Sequence, residues 1–489
     1  MTTKYISQAE EARQRDFIDT NQSLLKGRTH YYIQTFGCQL NDNDSEKLAG
    51  LLEAMGLKKA NQPEEAQVIL LNTCAIRENA VGRLFGNLGN LKSYREGQAD
   101  VILGVCGCMM TQIQNVDRIK QSYPYVDLVF GPQDIYRFPE LLNRVLLGSK
   151  RVYDVGGFDT VAENLPISRE RKFRALVTIM YGCNNFCSYC VVPYARGRER
   201  SRPQEKILEE LRALAKEGYR EIMLLGQNVN SYGKDLEAGP NQGDFTELLT
   251  QAAQIEGLER IRFMSSHPKD ISTELIDTIA RFPNIERHIH LALQSGSNPV
   301  LKAMNRKYTA EEFMDIVRYA REKVPGISIT TDIIVGYPGE TEEDFQETLK
   351  IVEEAAFDQA FTFQFSPRPG TKAYGLEEIP AEVMTDRFDR LVALQNANTL
   401  KSHEALVGES VEVLIEGLSD HTQDHFTGRD SANHLINFTI GEDTLESLGL
   451  GQADWAQRGA DLEGKMCRVL IKDAKTFSLE GVLVEGKVY

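Results

Sequence analysis

The chain predicts an α/β protein in three parts: an N-terminal doubly wound parallel sheet, a central partial (β/α)6 barrel, and a small C-terminal all-β domain. Strand-like apolar runs alternate with helical periodicity through most of the sequence, which implies parallel sheets covered by helices. The texture changes beyond about residue 400, where short alternating strands take over. With 489 residues and 42% hydrophobic content, there is material for about three domains.

Residues 1–28 read as a polar, partly helical extension. Between 29 and 150, apolar runs at Tyr31–Phe36, Val68–Leu71, Val101–Val105 and Val126–Phe130 are separated by helical stretches such as Asp44–Met55. Residues 151–168 read as a linker. The segment 169–399 holds six strand-like runs: Ala175–Met180, Glu221–Leu225, Arg260–Met264, His288–Leu293, Ser328–Val335 and Ala360–Phe365. Six βα units are too few for a closed eight-stranded barrel, and right-handed crossovers give them one direction, so their C-terminal ends share a rim. Residues 402–489, with runs at Val411–Ile415, Leu435–Phe438, Met466–Ile471 and Ser478–Val484, form the β-domain.

No run approaches the ~18 apolar residues of a membrane helix, and the N-terminus lacks the apolar core of a secretory signal. A cytoplasmic, monomeric protein with no membrane partner is expected. Eight cysteines in such a chain argue for metal or catalysis over disulfides. The formal charge is −16, yet from Arg169 to Arg202 eight Arg/Lys stand against two acids, a net of +6. A basic collar suits a polyanionic partner; the plainer reading is a face of ordinary ion pairs.

Cys183, Cys187 and Cys190 are spaced Cys-x3-Cys-x2-Cys. Three thiolates can hold three irons of a four-iron cluster and leave one iron open to a ligand. Structural zinc wants four ligands, and the nearest histidine, His267, lies 77 residues beyond Cys190. A second set is dispersed: Cys38, Cys74 and Cys106/Cys108 each follow a predicted strand, where parallel strands bring their ends to one ligand-binding edge. Gly107 lets the backbone turn, so Cys108 is the expected third ligand and Cys106 a packed residue. Cys467, inside a strand, reads as structural.

These residues together resemble the radical S-adenosylmethionine (SAM) methylthiotransferases. The resemblance rests on Gln34-Thr-Phe-Gly-Cys-Gln-Leu-Asn, Leu71-Asn-Thr-Cys-Ala-Ile-Arg-Glu-Asn-Ala, Gly107-Cys-Met and Tyr181-Gly-Cys-Asn-Asn-Phe-Cys-Ser-Tyr-Cys-Val-Val-Pro-Tyr-Ala-Arg-Gly-Arg-Glu-Arg-Ser-Arg. It is nearest the branch that acts on isopentenylated adenosine in tRNA. Gln39-Leu-Asn departs from the ribosomal-protein branch, and the branch acting on threonylcarbamoyl-adenosine stands between the two in likeness.

The resemblance implies two 4Fe-4S clusters, one on Cys183, Cys187 and Cys190 and an auxiliary one on Cys38, Cys74 and Cys108. It implies SAM as methyl donor and as radical source, a protein electron donor, and tRNA as substrate, modified at C2 of the N6-isopentenyladenosine at position 37. An unactivated aromatic C–H needs radical chemistry from a cofactor, so the two cysteine edges must face each other; a gap beyond ~15 Å would refute this. Gln227, Asn228, Gln294, Ser295 and Asp332 are rim candidates for SAM contacts. Each is equally a polar residue of a barrel interior. His267 orients a loop or touches ligand, and Pro338-Gly-Glu-Thr341 reads as a turn and helix cap.

The C-terminal domain resembles a TRAM domain, which implies tRNA binding near Arg429 and Asn433, alongside Arg196, Arg198, Arg200 and Arg202 of the collar. From His403 onward there are 7 Lys/Arg and 16 Asp/Glu, odd for an RNA-binding module; a cap on the barrel is the plainer reading. Two rival functions are an iron–sulfur electron carrier, which wants closed four-cysteine sites, and a zinc-containing RNA-binding module.

Overall fold

The computed structural model describes residues 4–75, 78–98, 100–156, 160–236, 243–420 and 424–489. Ile76 and Arg77 of the second cysteine motif, and Gly157 and Phe158 of the expected linker, lie outside them.

The N-terminal domain is a six-stranded, all-parallel sheet in the order Lys58–Lys59, His30–Thr35, Val68–Thr73, Ile102–Gly107, Leu128–Phe130, Val152–Asp154. Val68–Thr73 and Ile102–Gly107 are buried along their whole length, which is why they read as continuous apolar runs. One core lies on each face of the sheet. The strand order reverses beside His30–Thr35, so the crevice of the doubly wound sheet opens between that strand and Val68–Thr73.

Two expectations need revision here. Residues 151–168 are not a bare linker: Val152–Asp154 completes the sheet, and Thr160–Val161 pairs with Lys4–Tyr5. Nor is 1–28 a free extension. Its helix Gln8–Leu24 packs on Phe138–Leu146, where Asn21 Nδ2 donates to the Pro139 carbonyl (2.8 Å) and Asn143 Nδ2 donates to Asn21 Oδ1 (2.9 Å). Edge strands of two or three residues leave too short a pattern to read.

In the central domain six parallel strands run Arg174–Thr178, Glu221–Leu225, Arg260–Phe263, His288–His290, Ser328–Val335, Gln359–Gln364. They pair in two groups of three joined by bridges at Ile261–Ile285 and Ser266–Leu291. Helices cover the outside over one large core, and the arc stays open after its sixth strand. Thr341 caps the helix Glu342–Ala355 in a capping box with Asp344, as its turn sequence anticipated.

The C-terminal domain is a closed five-stranded barrel: Ser410–Leu418, Phe426–Arg429, Leu435–Thr439, Leu479–Val488 and Met466–Ala474. Cys467 is buried in its core. Among the described residues, no helix is long and apolar enough to cross a membrane.

Candidate functional site

The crevice of the N-terminal sheet carries the dispersed cysteines. Cys38 caps the helix Gln39–Ala54 just past the first strand, and Cys74 follows Val68–Thr73. At Gly107 the backbone adopts φ +98°, and a Cβ there would lie 2.3 Å from the Thr73 carbonyl oxygen. Only glycine allows this turn, and it delivers Cys108 to the same edge while Cys106 stays in the core behind the sheet.

The Cys38 thiol donates to Asn41 Oδ1 at 3.4 Å. A hydrogen bond with Cys74 draws Cys38 down to about 5, against its burial and with help from Arg196. Burial pushes Cys108 up to about 11 although Arg196 opposes it. Three thiols at one switch point, with a cation beside them, suit a soft metal group.

The second triad sits on the loop after the first barrel strand. Gly182 turns at φ +74°, where a Cβ would be 2.0 Å from the Arg198 carbonyl oxygen. Burial raises Cys183 to about 11 and Cys190 to about 12; ligation to a metal removes those protons. The loop is fastened to the turn that ends the short helix Asn298–Ala303, after the fourth strand. Ser188 N–H donates to the Met304 carbonyl (3.0 Å), and Asn305 Nδ2 donates to those of Phe186 (2.9 Å) and Asn185 (3.2 Å).

Arg306, buried, donates to Cys187 Sγ at 3.4 Å and to the Ala292 carbonyl at 2.6 Å. Sequence reasoning missed Asn305 and Arg306; the short polar run Met304-Asn-Arg-Lys-Tyr308 carries no cysteine-like signature. Among the described residues, no three His, Cys, Asp or Glu side chains gather tightly enough to surround a single ion. A four-iron cube is larger than one ion, so its ligands stand farther apart.

The two edges meet. Cys108 and Ala75 pack against Val191 and Ala195, directly after Cys190. Leu40, next to Cys38, packs with Met223 and Leu225, with Leu176 and Met264 alongside. Thr178 Oγ1 donates to Asn43 Oδ1 at 2.8 Å, and Asn43 Nδ2 donates to the Leu176 carbonyl at 3.0 Å. The N-terminal domain therefore plugs the first half of the barrel mouth.

The other half stays open. Phe361 and Phe363 are 41% and 46% exposed and lie in register with Asp332 and Ile334. His290 reaches Asp332 at 3.5 Å and meets the Phe361 ring edge-on at 5.9 Å.

The rim candidates divide. The Gln227 side-chain oxygen is buried without a hydrogen-bond partner. Asn228 is engaged, donating to Asp270 (2.7 Å) and accepting from His267 N–H (3.2 Å). Gln294 is buried in a left-handed turn at φ +70°. Ser295 turns away from the rim to Thr348 Oγ1 (3.2 Å) on an outer helix, so its hydroxyl does not face the chamber. His267 caps a short helix, accepts from Lys269 N–H and packs on Tyr308; burial holds it neutral, at about 2.

The basic collar is mostly internal, which corrects its reading as an RNA surface. Arg196 contacts Asp44 (2.7 Å) and Cys108 Sγ (2.9 Å). Arg202 pairs with Glu163 (2.6 Å) and Glu210 (2.9 Å). Arg200 is buried, donating to the Arg196 carbonyl. Of the four, only Arg198 is exposed, over the Phe186 ring.

Arg429 and Asn433 are corrected too. Arg262 Nη1 donates to Asn433 Oδ1 (2.6 Å), and Arg260 Nη1 to the Arg429 carbonyl (2.7 Å). Arg429 itself faces Glu416. Arg174, Glu221 and Arg260 open their strands, so the β-domain docks on the N-terminal mouth, opposite the cysteines. The contacts are those of a cap.

An open barrel with a three-cysteine loop on its rim, met by a second thiol triad, is the build of a radical SAM enzyme. Residues 177–352 match the Radical SAM superfamily, 30–131 the Uncharacterized protein family UPF0004, and 404–484 the TRAM domain. The chain is 46% identical to the tRNA-2-methylthio-N(6)-dimethylallyladenosine synthase of Acetivibrio thermocellus, over 98% of each chain. It is 45% identical to that of Thermoanaerobacter pseudethanolicus, over 99% of each.

Among solved structures, the radical S-adenosylmethionine methyltransferase TsrM from Kitasatospora setae, with cobalamin and a 4Fe-4S cluster bound, shares the fold. Its TM-score is 0.50 at 13% identity, covering 78% of this chain and 79% of that one. The chain belongs to the radical SAM methylthiotransferases, in the group of the tRNA-2-methylthio-N(6)-dimethylallyladenosine synthases.

Proposed function

We propose that this protein is a tRNA methylthiotransferase that converts N6-isopentenyladenosine at position 37 to its 2-methylthio derivative. Cys183, Cys187 and Cys190 hold one four-iron cluster, Cys38, Cys74 and Cys108 hold the auxiliary one, and SAM serves as methyl donor and radical source. With these groups bound, the site gains the radical chemistry that an unactivated aromatic C–H requires. The observation that carries the reading is the packing of Cys108 against Val191 and Ala195, which joins the two thiol edges in one chamber. Near-complete alignment with the named synthases supports the substrate.

The chain's own residues have definite tasks in this reading. Asn305 and Arg306 fix the cysteine loop, and the buried, unpartnered oxygen of Gln227 suits the ammonium of SAM. Leu40, Met223 and Leu225 keep water from the plugged half of the mouth. Phe361 and Phe363 offer the adenine and its apolar side chain a stacking face. Asp332 and Gln294 border that space. The reading includes a protein electron donor and a cytoplasmic monomer.

The test is anaerobic incubation with SAM, a reductant, and two rival substrates, isopentenylated tRNA and a ribosomal protein. The tRNA is expected to gain the mass of a methylthio group replacing one hydrogen. Modification of the protein alone would overturn the substrate.

A further inference from the structure

We propose that Arg196 is a positioning residue of the auxiliary cluster, fastening one of its sulfurs to the radical SAM domain and raising the cluster's reduction potential. The proposal rests on the reading above, that Cys38, Cys74 and Cys108 hold a cluster. Arg196 belongs by backbone to the loop of the other triad: its N–H donates to the Val192 carbonyl at 2.8 Å, six residues past Cys190. Its side chain belongs to the opposite domain. Nε donates to Cys108 Sγ at 2.9 Å, and Nη2 to Asp44 Oδ2 at 2.7 Å, on the helix that starts after Cys38. Only 5% of the residue is exposed.

A buried arginine whose acceptors are carboxylates and a backbone carbonyl, like its neighbour Arg202 with Glu163, Glu210 and the Thr178 carbonyl, is structural. Arg196 differs in placing an N–H on a ligand sulfur. Hydrogen bonds to cluster sulfurs, and positive charge beside them, stabilise the reduced and more negative state. Asp44 offsets part of that charge. Removing the guanidinium and removing its counter-charge must therefore move the potential in opposite directions, which an ion pair with no action on the cluster would not do.

The experiment uses the full chain with Cys183, Cys187 and Cys190 changed to Ala, so that only the auxiliary site loads. Its iron content tests the site itself: about four irons per chain are expected, and none would sink the reading beneath this proposal. In that background the potential is measured by redox titration followed by electron paramagnetic resonance. R196Q is expected to shift it down, D44N to shift it up, and R196K to stay near the parent. If R196Q fails to keep iron, the sign of D44N against R196K decides. An unchanged potential in D44N or in R196Q, or shifts of one sign, would overturn the proposal.

Discussion

Another domain packs on each end of the central barrel, and both ends bury arginines, yet the partners differ. At the C-terminal rim, Arg196 and Arg306 place N–H groups on the sulfurs of Cys108 and Cys187. At the N-terminal mouth, Arg174, Arg260 and Arg262 meet Glu221, Glu286, Glu416 and the backbone of the β-domain. Buried guanidinium groups need acceptors on every side. Where these are carboxylates the result is a fixed joint; where one is a thiol, the arginine also acts on whatever the thiol binds. Residue type alone does not distinguish the two.

The sharpest way to break the comparison is at the thiols. Changing Cys38, Cys74 and Cys108 to Ala is expected to abolish methylthio transfer while leaving reductive SAM cleavage at the other triad, read as 5′-deoxyadenosine formed. Retained transfer would remove the auxiliary site from the account.

At the opposite mouth the effect falls on stability. Glu221 is fully buried, and Arg262 and Arg174 hold its carboxyl at about 2 against its burial. A lowered folded-state value contributes stability above the ordinary range near 4.5 and loses it as pH falls toward 2. E221Q is expected to cost ~3–5 kcal/mol near neutral pH and to flatten the acid limb of a denaturation profile. Deleting residues 403–489 strips one acceptor each from Arg174, Arg260 and Arg262, so loss of soluble protein is expected, more than a selective loss of tRNA affinity.

Smaller effects belong to the open half of the mouth. F361A and F363A are each expected to weaken binding of an isopentenylated anticodon stem-loop by ~1–3 kcal/mol, with melting temperature unchanged. Equal affinity in both variants would move the base elsewhere. Smallest is R198A. As the exposed arginine of its segment it is expected to lower the salt slope of tRNA binding by about 1, whereas R202Q destabilises the fold and leaves that slope alone.

Much of this was legible in the sequence because it is local. Cys183, Cys187 and Cys190 lie within one loop, and the strand-then-cysteine arrangement at Cys38, Cys74 and Cys108 follows from parallel topology. Arginines are less legible because their acceptors come from afar. Asp44 is 152 residues from Arg196 and Glu163 is 39 from Arg202, so a collar that looks basic along the chain is neutralised in space. Arg429 and Asn433 fail similarly: the resemblance placed them on an RNA-binding face, but Glu416 faces the Arg429 guanidinium and Arg262 holds the Asn433 side chain. The acidic balance of that domain, 16 acids against 7 bases, was the signal that favoured a cap.

The central claim, that two iron–sulfur clusters share one chamber, is tested most directly by the electron paramagnetic resonance spectrum of the fully loaded, reduced protein. A spectrum broadened by magnetic coupling, different from the sum of the two single-triad variants, is predicted. A spectrum equal to that sum would contradict it.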